Sequence, residues 1–289
     1  MYKRQELNRK TPLKSYDSAK DWSIDYYNLT KDKAPIDKAI FGGFMCQQFS
    51  FSFMAGYQAA LEQMFPNTAP NELKALCVSE AKGGHPKAIQ TMLQDNRVTG
   101  VKTYVTAGTE VKHLLVLCKT NEEVNNRPLL KMVYLPYTTT DIEITNFELS
   151  FMKEIKHGKA AFKSTKIKQE QILEGDGYNL YAKPFRTLED ICLGASYQAM
   201  LLRQAIDNQW EDNLRDRILF NIYTLKNLLN LPPLDQEAHL LLSAADHNFE
   251  SILPTIESHI TNHTTDAFKS DWDMTVSYTH LTLPTILLV

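Results

Sequence analysis

Two short stretches decide the fold: LCVSEAKGGHP at residues 76–86 and VTGVKTYVTAG at residues 98–108. In the first, an apolar run predicts a strand that ends at a serine and an acid and then enters a glycine turn. The second predicts another strand, in which Tyr104 and Thr106 alternate onto one face. Ser79 and Thr106 both stand at strand ends. We therefore expect the two segments to be neighbours and to present polar groups at one edge.

The residues around these stretches change from a helical to a strand pattern and back. Large apolar residues recur at helical spacing over residues 35–64, where Gly42 and Gly43 predict either close helix packing or a break. Seven short runs between 75 and about 167 predict a small β-barrel or sandwich. Three amphipathic stretches after residue 183 predict part of an antiparallel bundle. The expected strands are 75–78, 88–93, 102–106, 113–119, 129–135, 141–147 and 160–167, and the expected C-terminal helices are 191–206, 214–229 and 236–260.

The composition is that of a soluble globular protein. The chain has 289 residues, 43% of them hydrophobic and 22% charged, enough for a sizeable core in two domains or one large one. A net charge of −3 gives no basic field for nucleic acid. No uninterrupted apolar run reaches the roughly 18 residues of a membrane span. The four scattered cysteines, without a CxxC pair, predict reduced core thiols of a cytoplasmic protein.

The two ends of the chain do not fit this pattern. Residues 1–5 resemble a translated transposase end used in sequencing libraries, and residues 276–285 resemble the same adapter read from the other side. We therefore expect residues 1–5 and 276–289 to be non-native and the natural sequence to be cut at both sides. The domains expected from the sequence are a partial N-terminal helical domain at 6–73, a middle β-barrel at 74–172 and a partial helical bundle at 173–275.

The two opening stretches resemble the flavin-contacting β-domain of the acyl-CoA dehydrogenase family, whose first motif is usually Thr-Glu followed by Pro-Gly-Ala-Gly-Ser-Asp. The Gly-rich turn at 173–178, followed by Arg186, resembles the family's junction between β-domain and bundle. The resemblance covers about residues 73–205. It implies an α+β fold with an N-terminal helical part, a middle β-barrel or sandwich and an incomplete C-terminal helical bundle, with FAD as cofactor. The residues it places at the flavin are Ser79, Gly83, Gly84, His85, Tyr104 and Thr106.

This sequence departs from the family motif after its acid. Ala81, Lys82, His85 and Pro86 stand where the family has Pro, Gly, Ser and Asp. The serine hydroxyl that meets the phosphates is therefore lost, and Pro86 offers no N–H in its place. Lys82 or His85 could replace it by charge. These departures leave open a non-catalytic binding module that has lost FAD.

The chemistry implied by the resemblance is α,β-dehydrogenation of an acyl thioester, with hydride transfer to the flavin. It requires a carboxylate base in a dry pocket. Most relatives place that base late in the bundle, which here would lie beyond Thr275, and some place it just before the junction arginine, where this chain has Phe185. Glu189 and Asp190 are the weaker candidates within the chain. Arg186 is a candidate contact of the acyl or flavin pocket, unless it is a surface residue paired with one of these acids.

The resemblance also implies partners: an acyl-CoA substrate, an acceptor such as an electron-transfer flavoprotein, and a second copy in a homo-oligomer, in fatty acid metabolism. A flavin oxidase or monooxygenase on the same scaffold is the enzyme alternative. We expect this fragment to hold FAD weakly or not at all and to be inactive. No metal site is predicted, because His259 and His263, one helical turn apart, lack a clear third ligand.

Overall fold

The computed structural model describes residues 14–124, 127–138, 141–263 and 272. The two adapter-like ends and every position after Thr275 lie outside the described residues. None of the helices in the described part is long and apolar enough to cross a membrane. Its α-helices are α1 (Ala19–Thr30), α2 (Pro35–Phe44), α3 (Phe49–Met64), α4 (Lys183–Asp207), α5 (Asp212–Leu228), α6 (Gln236–Glu250) and α7 (Leu253–His263).

The predicted helical region 35–64 is two helices, α2 and α3, separated at residues 45–48. The two glycines, expected to mark either close helix packing or a break, lie inside α2. A Cβ on Gly42 would meet Ala55 of α3 at 2.6 Å, so this position needs a glycine for close helix packing. Ser52 of α3 and Ser196 of α4 share a hydrogen bond of 3.1 Å in the same packed layer. The central layer of the helical part is therefore α2, α3 and α4.

The strands form a single mixed sheet in the described part of the chain. Its order is β1–β4–β2–β3–β7–β6, and β5 pairs with the other edge of β4. β1 runs parallel to β4, whereas the β2–β3, β3–β7, β6–β7 and β4–β5 pairs are antiparallel. The strands are β1 (Lys74–Cys77), β2 (Met92–Gln94), β3 (Arg97–Thr106), β4 (His113–Val124), β5 (Arg127–Pro136), β6 (Ile142–Phe147) and β7 (His157–Lys166).

The first half of β4, from Leu114 to Cys118, is buried on both faces and separates two hydrophobic cores. Leu114, Val116 and Cys118 join a core that also receives Ala75 of β1 and Ile144 of β6, from the two ends of the sheet order. The sheet therefore curls around its own interior, as the barrel or sandwich pattern predicts. The intervening Leu115 and Leu117 join the helical core. This alternation with a period of two places the helical core, with α3 beside β1, against the outer face of the sheet.

Two expected elements are wrong in extent. The strand predicted at 88–93 is a 3₁₀ turn at Pro86–Ala88 followed by the three-residue strand β2, because Pro86 cannot donate to a ladder. The helix predicted over 236–260 is two helices, α6 and α7, that meet at Ser251 and Ile252. A proline at position 254 cannot continue a helix that runs through Glu250, so the chain begins a new one there.

Candidate functional site

The loop between β1 and β2 leaves the sheet and returns to the same edge of β4. β1 pairs with the start of β4, and Met92 of β2 pairs with Lys119 farther along the same strand. β1 and β2 therefore lie one after the other along the same edge of β4, and residues 78–91 form a loop that connects them between β4 and β3. Four of the flavin residues expected from the sequence lie in this loop: Ser79, Gly83, Gly84 and His85.

The carboxylate of Glu80 closes the base of this loop. It accepts the backbone N–H of Gln90 at 2.7 Å and of Thr91 at 3.0 Å, which lie at the loop's far end. Lys102 of β3 completes the arrangement, with its ammonium 2.7 Å from Glu80 Oε1 and 3.1 Å from the carbonyl oxygen of Val78. Both charged side chains are buried. The two ends of the loop and the neighbouring strand are thus joined through one carboxylate.

The ion pair sets the protonation states around it. Burial alone would raise the pKa of Glu80, but Lys102 and the two backbone donors outweigh burial and hold this pKa below its ordinary value of 4.5. The thiols of Cys77 and Cys118 lie in the same interior, and burial raises the pKa of each to about 12 despite the nearby lysine. All four cysteines are free and buried, as the sequence predicts.

The glycine turn of the loop is tight. Glu80 and Gly83 exchange backbone hydrogen bonds of 3.3 and 2.8 Å, and Gly83 has a φ of 91°, which favours glycine. Gly84 is buried behind it, and His85 is exposed. The ring nitrogen Nδ1 of His85 accepts the N–H of Lys87 at 3.2 Å and so caps the following 3₁₀ turn. A phosphate contact by this histidine stays a prediction.

The three residues expected at the ring edge lie on adjacent segments. Ser79 is buried, and its carbonyl accepts the N–H of Thr103 at 2.9 Å, which joins the loop to β3. Tyr104 is half-buried, with its ring centroid 5.5 Å from that of Phe147 in an edge-on contact. Thr106 is buried and pairs with His157 of β7. The two segments are therefore neighbours.

A β-bulge turns the side chains of β3. The register with β7 shifts between Lys102 and Val105, so both of these residues are buried although they are three positions apart. Tyr104 and Thr106, on either side of Val105, face the opposite way. Lys102 therefore reaches Glu80 in the loop from the interior of the sheet, whereas Tyr104 and Thr106 lie on its outer face.

Tyr57 of α3 joins the strand ends to the helices. Its hydroxyl accepts the N–H of Leu76 in β1 at 2.8 Å, and the hydroxyl of Thr106 lies beside it. Burial and the nearby carboxyl of Glu189 both raise the pKa of this phenol. The ring of Tyr57 also packs edge-on against Phe185 of α4, with centroids 6.0 Å apart. One side chain therefore touches both strand ends and the start of α4.

Glu189 and Asp190 occupy different environments on α4. Glu189 is 7% exposed, and burial, with Asp190 adding to it, raises its pKa well above the ordinary range, although Arg186 opposes the shift. Asp190 is partly exposed, and burial raises its pKa to about 7 against the pull of Arg186. Arg186 itself is exposed and forms no ion pair within 4 Å in the described region. Its predicted pocket contact is left as a prediction.

Sequence reasoning missed Tyr57 and His157. His157 is 2% exposed beside Thr106, burial lowers its pKa to about 4, and its Nδ1 lies 3.1 Å from the carbonyl oxygen of Ile155. Its ring centroid is 6.2 Å from that of Tyr104. Neither residue carries a local sequence signal, since both reach the site through long-range packing.

The histidine pair considered as a metal site has another role where it is described. His259 stacks on Trp210 with ring centroids 4.8 Å apart, and its Nε2 lies 2.7 Å from Glu211 Oε2. The side chain of His263 lies outside the described part. The described part of the chain contains no group of three potential metal ligands.

Comparison with solved structures identifies the fold. A protein titled FAD-dependent dehydrogenase is similar over 89% of this chain and 87% of its own, with a TM-score of 0.65 and 14% identity. Butyryl-CoA dehydrogenase from Megasphaera elsdenii is similar over 84% of this chain and 76% of its own, with a TM-score of 0.57 and 10% identity. The prolyl acyl carrier protein oxidase AnaB is similar over 93% and 81%, with a TM-score of 0.56 and 14% identity.

Neither a protein-family model nor a curated protein matches the sequence. At identities of 10 to 14% the solved structures establish the fold and nothing finer. The arrangement of helices, mixed sheet and further helices agrees with the α+β fold that the sequence predicts. The chain therefore has an acyl-CoA dehydrogenase-like fold.

Proposed function

We propose that this protein is a flavin-dependent oxidoreductase that removes two hydrogens from an acyl-CoA thioester, with FAD as the hydride acceptor. The observation that carries the proposal is the junction at Tyr57, where the ends of β1 and β3 meet α3 and α4. The solved structures with this fold include proteins titled as an FAD-dependent dehydrogenase and a butyryl-CoA dehydrogenase. These neighbours support the same chemistry here.

The residues at the junction fit the edge of a flavin ring. A flavin needs hydrogen-bonding groups around its heteroatoms and a flat surface for packing. Ser79 and Thr106 supply hydroxyls at neighbouring strand ends, and Tyr104 supplies an aromatic ring. The hydroxyl of Thr103, beside Ser79, is buried and has no hydrogen-bond partner among the described residues. An unpaired buried hydroxyl is costly, and a ligand in this place would satisfy it.

The loop offers a less complete fit to the diphosphate. Gly83 and Gly84 allow a close backbone approach, and Lys82 and His85 are exposed beside them. We propose that these four residues hold the phosphates in place of the missing serine, by charge and by backbone N–H groups. Bound FAD would accept the hydride from the β-carbon of the substrate.

Three partners belong to the proposal: the acyl-CoA substrate, an electron-accepting protein such as an electron-transfer flavoprotein, and a second copy of the chain. Support for the second copy comes from apolar side chains that α5 and α6 leave exposed, including Phe220 at 68%, Tyr223 at 64% and Leu240 at 64%. Exposed clusters of this kind often mark contacts between proteins. Sedimentation of the purified chain tests this part, because a monomer at every concentration would remove it.

The test of the function is a flavin titration followed by single-turnover chemistry. FAD fluorescence is measured against increasing protein, so that loosely held cofactor is still detected. The loaded protein is then mixed without oxygen with a series of saturated acyl-CoA thioesters, and flavin bleaching and enoyl-CoA formation are followed. Bleaching with formation of the unsaturated thioester would support the proposal, and it would overturn the expectation from the sequence that this fragment is inactive.

Matched variants make this test specific. Ser79→Ala and Thr106→Val should weaken FAD binding about tenfold each, the loss of roughly one hydrogen bond. Thr145→Val is the control, because Thr145 is an exposed strand threonine on β6. Oxygen consumption without another acceptor would favour the oxidase alternative. Absence of any FAD binding would overturn the proposal and favour a binding module without flavin.

A further inference from the structure

Glu189 is a buried acid with an unsatisfied oxygen. Only 7% of the residue is exposed, and its Oε1 has no hydrogen-bond partner among the described residues. Buried polar atoms almost always have partners, so such an exception calls for an explanation. Glu80 shows the contrast within the same molecule, since its carboxylate has two backbone donors and Lys102. Glu80 therefore has the hydrogen-bond partners expected of a structural acid, whereas Glu189 Oε1 has none among the described residues.

The groups around Glu189 do not neutralise it. Tyr57 faces it from α3, and Cys192 and Tyr197 lie near it on α4 itself, each with its pKa raised by burial first and by this carboxyl second or later. The neighbouring charged groups are Asp190, which repels a second negative charge, and the exposed Arg186. Burial and Asp190 outweigh Arg186, so the fold disfavours the charged form of this carboxyl.

The position of Glu189 relates it to the proposed flavin edge. The ring of Tyr57 packs edge-on against Phe185, one helical turn before Glu189 on α4, and its hydroxyl lies beside Thr106 at the end of β3. Glu189 therefore lies on the part of α4 that meets the strand ends through Tyr57, and the proposed function would place the acyl group in the same region. A reacting carbon there would be close to this carboxyl.

We infer that Glu189 is the group that takes the α-proton from the acyl thioester; the inference rests on the proposed function. In this step the bond from the α-carbon to hydrogen breaks, its proton goes to Glu189, and its electron pair becomes the new double bond. The hydrogen on the β-carbon leaves with its electron pair to FAD. Electrons and atoms then balance with no further reactant. The acid stands on α4 four residues after Phe185 and needs no residue beyond Thr275.

The inference predicts a pH dependence with a definite sign. Burial raises the pKa of Glu189, so the carboxylate that accepts a proton forms only as the pH rises well above 4.5. Tyr57, Tyr197 and Cys192 face this group with pKa values raised above their ordinary ranges, and they stay neutral at neutral pH. The rate of the proton-transfer step should therefore rise with pH.

The first test needs no cofactor and measures thermal stability. Because folding favours protonated Glu189, its ionisation in the unfolded chain reduces stability as the pH rises above 4.5. Glu189→Gln removes that loss, so it should raise the thermal midpoint relative to wild type by an amount that grows from pH 5 to pH 8. A Glu189→Gln protein that melts below wild type at pH 8 would show a structural partner and overturn the inference.

The second test measures chemistry. Glu189→Gln should retain FAD binding but lower the rate of flavin reduction by acyl-CoA about 10²- to 10⁴-fold, and it should lose exchange of the substrate's α-deuterium. Glu189→Asp should restore part of the rate. Glu143→Gln, with the same charge change at an exposed ion pair on β6, should leave the rate unchanged. If Glu189→Gln reduced the flavin as fast as wild type, or if Asp190→Asn lost the activity instead, the inference alone would be overturned. If wild type itself did not reduce the flavin, the proposed function would be overturned.

Discussion

Lys102 Nζ lies 2.7 Å from Glu80 Oε1, with the lysine fully buried and the glutamate 6% exposed. The lysine belongs to β3, and the glutamate begins the loop that carries the proposed phosphate contacts. A buried ion pair is not by itself stabilising, because both charges lose their hydration. Here, however, Lys102 also donates to the carbonyl of Val78, and Glu80 also accepts the N–H groups of Gln90 and Thr91. The pair therefore fixes the shape of the loop.

Breaking this pair from one side should be strongly destabilising. Lys102→Met leaves the charge of Glu80 buried without its cation, at a cost of about 3–5 kcal/mol in the free energy of unfolding. The double variant Glu80→Gln with Lys102→Met leaves no uncompensated charge and should recover part of that loss. Urea unfolding followed by circular dichroism measures both.

The exposed pair of Lys163 with Glu143, 2.6 Å apart, is the control for this experiment. Lys163→Met should leave the urea midpoint close to that of wild type, because solvent screens this pair. Equal effects of Lys163→Met and Lys102→Met would contradict the argument, as would a double variant less stable than Lys102→Met alone.

His157 should make the fold sensitive to mild acid. Its pKa in the folded state is about 4, below the ordinary 6.5, because burial disfavours the charged ring. Between these values the unfolded chain binds a proton that the folded chain does not, so stability falls as the pH drops from 6.5 towards 4. The shift corresponds to roughly 3 kcal/mol at the acid end of this window.

The measurement is the free energy of unfolding as a function of pH for wild type and His157→Asn. The asparagine amide can replace the Nδ1 contact with Ile155, and it has no charge to gain. The variant should therefore lose much of the slope between pH 6.5 and 4, whereas His239→Asn, at an exposed histidine, should retain it. An unchanged slope in His157→Asn would show that other groups cause the acid sensitivity.

The periodic elements could be predicted from the sequence because local patterns determine them. Val116 and Leu117 of β4 illustrate this, since the run rich in Leu and Val at 113–119 predicts a strand there; that the two side chains enter different cores is visible only in the structure. The stop of α5 before Pro232 and Pro233 is likewise local. Ser79 and β3 were expected as neighbours from the motif pair, and the backbone bond to Thr103 is consistent with that.

The contacts that complete the candidate site could not be predicted, because they depend on how distant elements pack. Ser52 and Ser196 are 144 positions apart, and their contact joins α3 to α4, the two helices that carry Tyr57 and Glu189. The bulge in β3 is a second case. Strict alternation would place Lys102 on the face of Tyr104, and only the register with β7 reveals that the lysine turns inward.

The crossing of α3 and α4 depends on Gly56. A Cβ at this position would lie 2.8 Å from Leu193 Cα and 2.9 Å from the carbonyl oxygen of Cys192, both backbone atoms that cannot move alone. Gly56→Ala should therefore destabilise by about 1–2 kcal/mol, because overpacking outweighs the roughly 1 kcal/mol gained in helix propensity.

Gly194→Ala on α4 is the matched control, since its Cβ would meet only the flexible end of Leu225 at 3.3 Å. It should be neutral or slightly stabilising in the same urea titration. If Gly56→Ala were also neutral, the close approach of the two helices would not be a constraint on this fold.

Tyr57→Phe tests the link between the helices and the strand ends. The hydroxyl of Tyr57 accepts the N–H of Leu76 at 2.8 Å, and phenylalanine leaves that buried donor unpaired at a cost of about 1–3 kcal/mol. The ring and its packing against Phe185 are retained, so the loss is that of the hydroxyl alone. Hydrogen exchange localises the effect, because the Leu76 amide should exchange faster in the variant than in wild type.

Tyr223→Phe is the control: it removes the hydroxyl of a tyrosine that is 64% exposed, and it should change neither the stability nor the exchange of Leu76. Since β1 leads directly into Ser79, faster exchange at Leu76 with slower exchange nowhere else would show that this hydroxyl holds the start of the proposed cofactor loop, and unchanged exchange would show that β4 alone holds it.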